Sequence, residues 1–170
     1  AISAYEKLSS YDSAAIEKKV SLRTLGANGI IVVTPDGSAA NNGTRAEDAV
    51  DIQTALNYAA AGQTIQLESG TYHLTGELKV ERGRDGTAEA PITMTTADGK
   101  YATLDFGGVG TGFSVWGNYW NISKINITNT VNSHFADIGQ DPQTYDVTFE
   151  NCQARVRTLE LMDYANKNGG

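Results

Sequence analysis

Residues 116–130 have the sequence WGNYWNISKINITNT, in which a strand pattern is interrupted in the middle. The apolar side chains fall at alternate positions in two pairs, Trp120/Ile122 and Ile125/Ile127. The second pair is out of phase with the first, and a one-residue slip in a flat strand turns every following side chain to the opposite face. We therefore predict that Ser123-Lys124 is a corner, after which the next strand faces the same interior.

The interrupted pattern occurs four times, at a spacing of 27 or 28 residues. The inward-facing sets are Ile65/Leu67/Gly70/Tyr72, Ile92/Met94/Ala97/Gly99, Trp120/Ile122/Ile125/Ile127 and Val147/Phe149/Cys152/Ala154. Such self-similarity is typical of a solenoid, in which each repeat is one coil and equivalent strands stack into parallel sheets. The predicted interior stacks are Ile65–Ile92–Trp120–Val147, Leu67–Met94–Ile122–Phe149 and Gly70–Ala97–Ile125–Cys152.

A second apolar pair follows the start of each copy and predicts a further strand in every coil. It falls 12 or 13 residues later, at Leu78/Val80, Leu104/Phe106 and Leu159/Leu161. The third copy is irregular, with Val131 as the nearest match. We accordingly expect an all-β solenoid of about four coils.

One helix is predicted ahead of the first coil, at about residues 45–61. Thr44 and Glu47 have the spacing of a capping box, apolar residues then recur at helical spacing, and Gly62 provides a stop. A solenoid end exposes core side chains and strand edges, so this helix is expected to cap the N-terminal end. Residues 1–29 are interpreted as a leader or N-terminal extension, and residues 30–170 as the solenoid domain.

Composition limits the classes of function. The chain has 170 residues, a net charge of −7 and a sequence pI of about 4.7, which disfavours a nucleic-acid-binding surface. No apolar run reaches membrane-spanning length, so we expect no membrane partner. The single cysteine, Cys152, excludes an internal disulfide.

Four segments follow one another in the chain: a capping helix, GQTIQLESGTYHL, APITMTTADGKYATLDFGG and WNISKINITNT. With these segments in this order, the chain resembles right-handed parallel β-helix proteins, and in particular the N-terminal part of pectate lyases of polysaccharide lyase family nine. The resemblance covers about residues 30–154. It implies a secreted or cell-surface bacterial protein that acts on acidic pectic polysaccharide, such as polygalacturonate. It further implies β-elimination, in which Ca²⁺ neutralises the uronate carboxylate and a lysine removes the C5 proton.

Candidate site residues are few, and each has a second interpretation. Asp137, Asp141 and Asp146 are candidate Ca²⁺ ligands, although a solvated polar loop with a turn at Pro142 would have the same composition. The candidates for substrate binding are Arg155, Arg157, Lys124 and Trp116, which could equally be exterior charge or turn packing. No catalytic base is identified.

Three functional hypotheses remain open at this point. The first is a pectate-lyase-like enzyme, and the second is a non-catalytic solenoid that binds polysaccharide or serves as a structural module. In the third, an uncapped C-terminal coil associates end to end through apolar residues near Val156, Leu159 and Leu161. A fifth repeat would begin at about residue 174 by the observed spacing, so we expect the N-terminal portion of a longer lyase or a short relative of one.

Overall fold

The computed structural model describes residues 23–110, 112–131, 136–138 and 147–155. Twelve strands and one α-helix, α1 (Ile52–Tyr58), are formed by these residues. The strands are β1 (Ile30–Val33), β2 (Thr64–Leu67), β3 (Gly70–His73), β4 (Leu78–Val80), β5 (Ile92–Thr96), β6 (Ala102–Asp105), β7 (Phe113–Val115), β8 (Trp120–Ser123), β9 (Ile125–Thr128), β10 (Ala136–Ile138), β11 (Val147–Glu150) and β12 (Gln153–Arg155). In the described part of the chain, α1 is too short and too polar to cross a membrane.

The strands form three parallel sheets that run along the solenoid. The first sheet has the order β1-β2-β5-β8-β11, the second β3-β6-β9-β12 and the third β4-β7-β10. Each coil contributes one strand to each sheet in turn, so strands that are distant in sequence become hydrogen-bonded neighbours. This arrangement confirms the predicted solenoid, and β1 adds a strand ahead of the four predicted copies.

The predicted register is confirmed between the later coils of the first sheet. Trp120 pairs with Ile92 on one side and with Val147 on the other, and Ile122 pairs with Met94 and Phe149. The corner that follows is a single residue, Lys124, whose φ is +61°. This left-handed conformation turns the chain within one residue, which is why the apolar alternation changes phase there.

The predicted register is wrong between the first two copies. Ile65 pairs with Met94 instead of Ile92, and Gly70 pairs with Ala102 instead of Ala97. The error extends to the third copy in the second sheet, where Ile125 also pairs with Ala102, and Ala97 is exposed. The second-sheet shift follows from the corner between β5 and β6, which occupies residues 97–101, whereas residues 68 and 69 make the equivalent corner in the preceding coil. The first-sheet shift arises before this corner, because β5 pairs with β2 at an offset of 29 residues instead of the predicted 27. A near-constant repeat length therefore conceals corners of different length.

The assignment of the second apolar pair is also wrong in two copies. Leu78 and Val80 pair with Phe113 and Val115 in the third sheet, whereas Leu104 lies in the second sheet beside Tyr72. Val131 is 57% exposed, and the third-sheet strand of its coil is β10. The longer corner at residues 97–101 shifted the pattern so that a second-sheet strand was mistaken for a third-sheet strand.

The helix is shorter than the predicted range of about residues 45–61. A 3-10 turn occupies Ala46–Asp48, and α1 begins only at Ile52. The capping-box prediction is wrong, because Asp51 is the N-cap and its Oδ1 accepts a 2.9 Å hydrogen bond from Thr54 N–H. The two helical segments are separate because Val50 is extended and donates its N–H to the Val32 carbonyl.

Backbone and side-chain groups cover the N-terminal strand edges. In the first sheet, the N–H of Val32 donates to the Gly43 carbonyl, and the carbonyl of Val32 accepts from Val50 N–H. In the third sheet, the amide of Gln53 on α1 takes the place of a neighbouring strand. Its Nε2 donates to the Lys79 carbonyl at 2.9 Å, and its Oε1 accepts from Lys79 N–H at 3.1 Å. These bonds confirm that α1 caps the solenoid.

A continuous apolar core fills the interior of the coils. Trp120 is its largest fully buried side chain, and its Nε1–H donates to the Arg84 carbonyl at 2.6 Å. Tyr72 is also buried, with its hydroxyl 2.8 Å from the Glu68 carbonyl and 3.1 Å from that of Val33. Burial raises the pKa of Tyr72, so this hydroxyl stays protonated and can donate.

Candidate functional site

The third sheet brings three polar residues into register. Ser114 is the central residue of β7 and is buried; it pairs with Lys79 of β4 on one side and with Asp137 of β10 on the other. Neighbouring strands of a sheet lie about 4.8 Å apart, so these positions form a regular row along the solenoid axis. A row in this direction suits an elongated ligand better than a small compact one.

Trp116 directly follows β7 and organises two cations beside this row. The Nζ of Lys79 lies 5.3 Å from the centroid of the half-buried indole, and the Cζ of Arg82 lies 4.3 Å from it. Such cations are attracted by the negative face of the aromatic ring. The ring therefore positions an ammonium and a guanidinium, instead of offering a bare face on which a sugar could stack.

Two carboxylates lie among these cations. Glu81 forms an ion pair with Lys79 at 3.2 Å, and Glu77 accepts a hydrogen bond from the hydroxyl of Ser114. Because the Lys79–Glu81 pair is partly exposed, it contributes little to stability but holds the lysine in place. The surface thus has alternating charge.

A groove of about 670 Å³ runs between α1 and β4. The helix contributes Gln53, Asn57 and Tyr58, and β4 with the turn after it contributes Lys79, Arg82 and Arg84. Gln53 reaches the groove because it caps β4, and its Nε2 also donates to Asn57 Oδ1 at 2.8 Å. Amides, cations and an aromatic ring together can recognise hydroxyl groups and carboxylates.

Lys124 lies at a different corner of the solenoid, between the first and second sheets. Its Nζ is 5.3 Å from the ring centroid of Tyr101, which belongs to the long corner of the preceding coil. The fold therefore separates this candidate from the third-sheet row. Its predicted role in substrate binding stays a prediction.

The remaining predicted residues lie at or beyond the limits of the described chain. Asp137 is described only as a backbone position in β10, and Arg155 pairs with Thr128 at the end of β12. Asp141, Asp146 and Arg157 lie outside the described residues. Within the part of the chain that is described, no three His, Cys, Asp or Glu side chains form a group that could hold a metal ion.

One carboxylate at the corner after the second sheet, that of Asp105, has a lowered pKa. The side-chain amide of Asn129 donates to Asp105 Oδ1 at 2.8 Å, and Gly107 N–H donates to the same oxygen at 3.0 Å. These bonds, the Asn129 amide first, lower the pKa of Asp105, and the nearby His73 adds a smaller effect. Asn129 itself has φ of +56°, so these bonds stabilise a corner.

Sequence reasoning missed Lys79, Arg82, Tyr58 and Gln53. Lys79 and Ser114 become equivalent only when Leu78/Val80 are aligned with Phe113/Val115, which the error in the long corner prevented. Gln53 caps a strand edge across 26 residues of sequence, and no local pattern announces such a contact. Arg82 belongs to a turn, and one basic residue in a turn does not by itself indicate a binding role.

Comparisons with known proteins agree with this architecture. A protein-family model described as Pel9A-like, right-handed β-helix region, matches residues 31–166. Pectate lyase L of Thermoclostridium stercorarium is 33% identical over 125 residues, which are 74% of this chain and 10% of that protein. Pectate lyase PEL9 of Emericella nidulans is 37% identical over 75 residues, which are 44% of this chain and 18% of that protein.

A solved structure is similar as well. The crystal structure of pectate lyase Pel9A matches with a TM-score of 0.50 and 25% sequence identity, over 64% of this chain and 29% of that one. The chain thus spans a minor part of each relative's length. The family match extends over most of the described coils and coincides with the three parallel sheets. The chain belongs to the Pel9A-like right-handed β-helix family.

Proposed function

We propose that this chain takes part in the Ca²⁺-assisted β-elimination of an acidic pectic polysaccharide. The observation that carries the proposal is the pair of cations, Lys79 and Arg82, that Trp116 holds beside the outer row of the third sheet. Family membership supports the same conclusion, since the named relatives are pectate lyases.

The chemistry of the row matches that of a polyuronate. A guanidinium binds a carboxylate through two parallel hydrogen bonds, and an ammonium binds it as a point charge. Each sugar unit of such a polymer carries one carboxylate and several hydroxyls, so the cations have carboxylates to bind, and Glu77 and Glu81 beside them can accept hydrogen bonds from hydroxyls. The row runs along the solenoid, which suits a linear polymer.

The metal in this proposal is Ca²⁺, with Asp137, Asp141 and Asp146 as its proposed ligands. Carboxylate oxygens are the ligands that Ca²⁺ prefers, and Asp137 shares the row of Lys79 and Ser114. When bound, the ion would neutralise a substrate carboxylate and so favour loss of the adjacent proton. The residues of the row would bind and orient the polymer.

Because such a polymer is encountered outside cells, we also propose secretion or display at the surface of a bacterium.

The test is turnover of polygalacturonate at alkaline pH with Ca²⁺ present. We expect ultraviolet absorbance from unsaturated uronide to rise, to stop when a chelator removes Ca²⁺, and to rise more slowly in the variants Lys79→Gln and Arg82→Gln. An absence of unsaturated product in the presence of Ca²⁺ would contradict the proposed activity of this chain.

A second candidate function is polysaccharide binding without turnover. It is favoured by the groove beside α1, whose amides, cations and ring are typical of recognition surfaces and contain no identified base. Saturable binding of polygalacturonate with no unsaturated product would support it. The third hypothesis, end-to-end association near Val156, Leu159 and Leu161, concerns residues outside the described chain, and a monomeric sedimentation profile would contradict it.

A further inference from the structure

The groove beside α1 does not end at the helix. A second groove of about 390 Å³ adjoins it, and Tyr58 and Arg84 line both. Tyr58 is 37% exposed, and the Cζ of Arg23 lies 5.7 Å from its ring centroid. The two grooves meet at Tyr58 and Arg84, and together we call them the cap trough; its lining extends from Arg23 across Tyr58 and Arg84 to Lys79 and Arg82.

Arg84 is the central cation of the cap trough, and its backbone is fixed on both sides. Its N–H donates to the Glu81 carbonyl at 3.2 Å, and its carbonyl accepts from the buried indole of Trp120 at 2.6 Å. Among the described residues, no carboxylate forms an ion pair with its guanidinium. The two bonds fix the backbone position from which the side chain of this half-buried residue starts, so a carboxylate could pair with its guanidinium without displacing a partner from the protein.

The charges of the cap trough are mixed but locally basic. Its cations are Arg23, Lys79, Arg82 and Arg84, and its acids are Glu77, Glu81 and Asp85. Each acid already has a partner in the protein: Glu77 accepts from Ser114, Glu81 pairs with Lys79, and Asp85 accepts from Asn118 N–H. Four cations against three acids give the trough a small positive balance in a chain whose net charge is −7, although the guanidinium of Arg23 already donates to the carbonyls of Ala39 and Asn41.

We propose that the cap trough is a Ca²⁺-independent binding site for a short segment of acidic oligosaccharide, centred on Arg84 and sharing Lys79 and Arg82 with the third-sheet row. Arg84 would bind a uronate carboxylate, the amides of Gln53 and Asn57 would contact hydroxyl groups, and Tyr58 would contact the sugar ring. The three carboxylates of the trough would repel a densely charged polyphosphate, whereas a uronate chain separates its charges by hydroxyl-bearing rings. The inference takes its ligand class from the proposed function, but it does not require turnover.

The test is calorimetric titration of the chain with trigalacturonate in the presence of a chelator. Arg84→Gln should weaken binding by about five- to tenfold, the size of effect expected for one hydrogen-bonded charge. Arg45→Gln is the matched control, because Arg45 is an exposed arginine outside the trough, and its variant should bind like the parent chain. The methyl ester of trigalacturonate carries no charge. Its affinity for the parent chain should be no higher than the affinity of the acid for the Arg84→Gln variant.

Equal affinities of the Arg84→Gln and Arg45→Gln variants would overturn the inference, as would tight binding of the methyl ester. Circular dichroism verifies folding, and if Arg84→Gln is unfolded, Tyr58→Leu carries the test, with about threefold weaker binding expected from loss of a ring contact. Turnover of polygalacturonate with Ca²⁺ is measured in parallel. Binding without turnover contradicts the proposed activity alone, and turnover without chelator-resistant binding contradicts the cap trough alone.

Discussion

Trp116 and Trp120 flank the corner between the third and the first sheet, and they serve the molecule in different ways. Trp120 is fully buried, pairs in register with Ile92, and donates its indole N–H to the Arg84 carbonyl. Trp116 is half-buried, and its ring lies under Lys79 and Arg82. The position relative to the corner, not the residue type, decides which tryptophan builds the interior and which organises the surface.

The two tryptophans nevertheless act on neighbouring parts of one surface. Trp120 fixes the backbone from which Arg84 enters the cap trough, and Trp116 holds the cations of the third-sheet row. A solenoid can thus carry a binding surface directly on its core, with no separate loop domain. Four measurements test how the interior, the surface and the corners contribute to stability and binding.

The largest effect is expected from Trp120→Ala, which should reduce the free energy of unfolding by about 3–5 kcal/mol. The substitution empties the largest buried position and leaves the Arg84 carbonyl without its donor. Chemical denaturation measures the loss, and Trp120→Phe is the control that retains most of the volume. A loss below about 1 kcal/mol would mean that Trp120 is not part of the packed interior.

The next effect is expected from Trp116→Leu, which should weaken binding of trigalacturonate about tenfold, because Lys79 and Arg82 lose the ring that positions them. Its free energy of unfolding should fall by no more than about 1 kcal/mol. Tyr101→Leu is a matched variant, because Tyr101 lies under Lys124 at the same 5.3 Å. An equal loss of affinity in Tyr101→Leu would favour the Lys124 corner over the third sheet.

A smaller effect is expected at the cap. Gln53→Ala removes both bonds to the backbone of Lys79, and we expect a loss of about 1 kcal/mol and faster hydrogen exchange at the Lys79 amide. Gln53→Glu keeps an acceptor for this amide but loses the donor to the carbonyl. It should therefore protect the amide better than Gln53→Ala, and identical exchange in the two variants would contradict the capping role.

The smallest effect is a dependence of stability on pH at the corner of Asp105. The pKa of Asp105 is lowered in the folded chain, chiefly by the amide of Asn129. Its contribution is therefore present above its unfolded pKa of 3.8 and is lost as the pH falls through the lower folded value. Solvent screening limits it to about 0.5 kcal/mol. Asn129→Ala should raise the pKa of the Asp105 carboxyl in an NMR titration, and an unchanged pKa would contradict this cause.

Much of the fold could be predicted because the side chains that stack in a solenoid recur at a regular spacing in the sequence. The change of phase after Ile122 identified the corner at Lys124, and Trp120 was assigned to the interior. The prediction of the second-sheet register failed at the corner of residues 97–101, since the length of a corner does not affect which residues are apolar. The predicted start of the helix was wrong because Val50 pairs with β1, and this pairing outweighs the local capping signal.

The candidate site was less predictable for a physical reason. Trp116 was named in advance, but its cations come from the preceding coil, and contacts between coils depend on the register of the third sheet. Gln53 and Arg84 act through contacts across 26 and 36 residues of sequence, respectively. The predicted Ca²⁺ ligands and Arg157 stay predictions.

The most direct test of the central claim uses the two tryptophan indole N–H signals of the chain in an NMR titration with trigalacturonate. The chain has only these two tryptophans, so assignment needs one variant, Trp116→Leu. We expect a saturable shift of the Trp116 signal as Lys79 and Arg82 bind carboxylates, with a much smaller change for Trp120. An unchanged Trp116 signal at saturating ligand would contradict the claim that the third-sheet surface binds acidic polysaccharide.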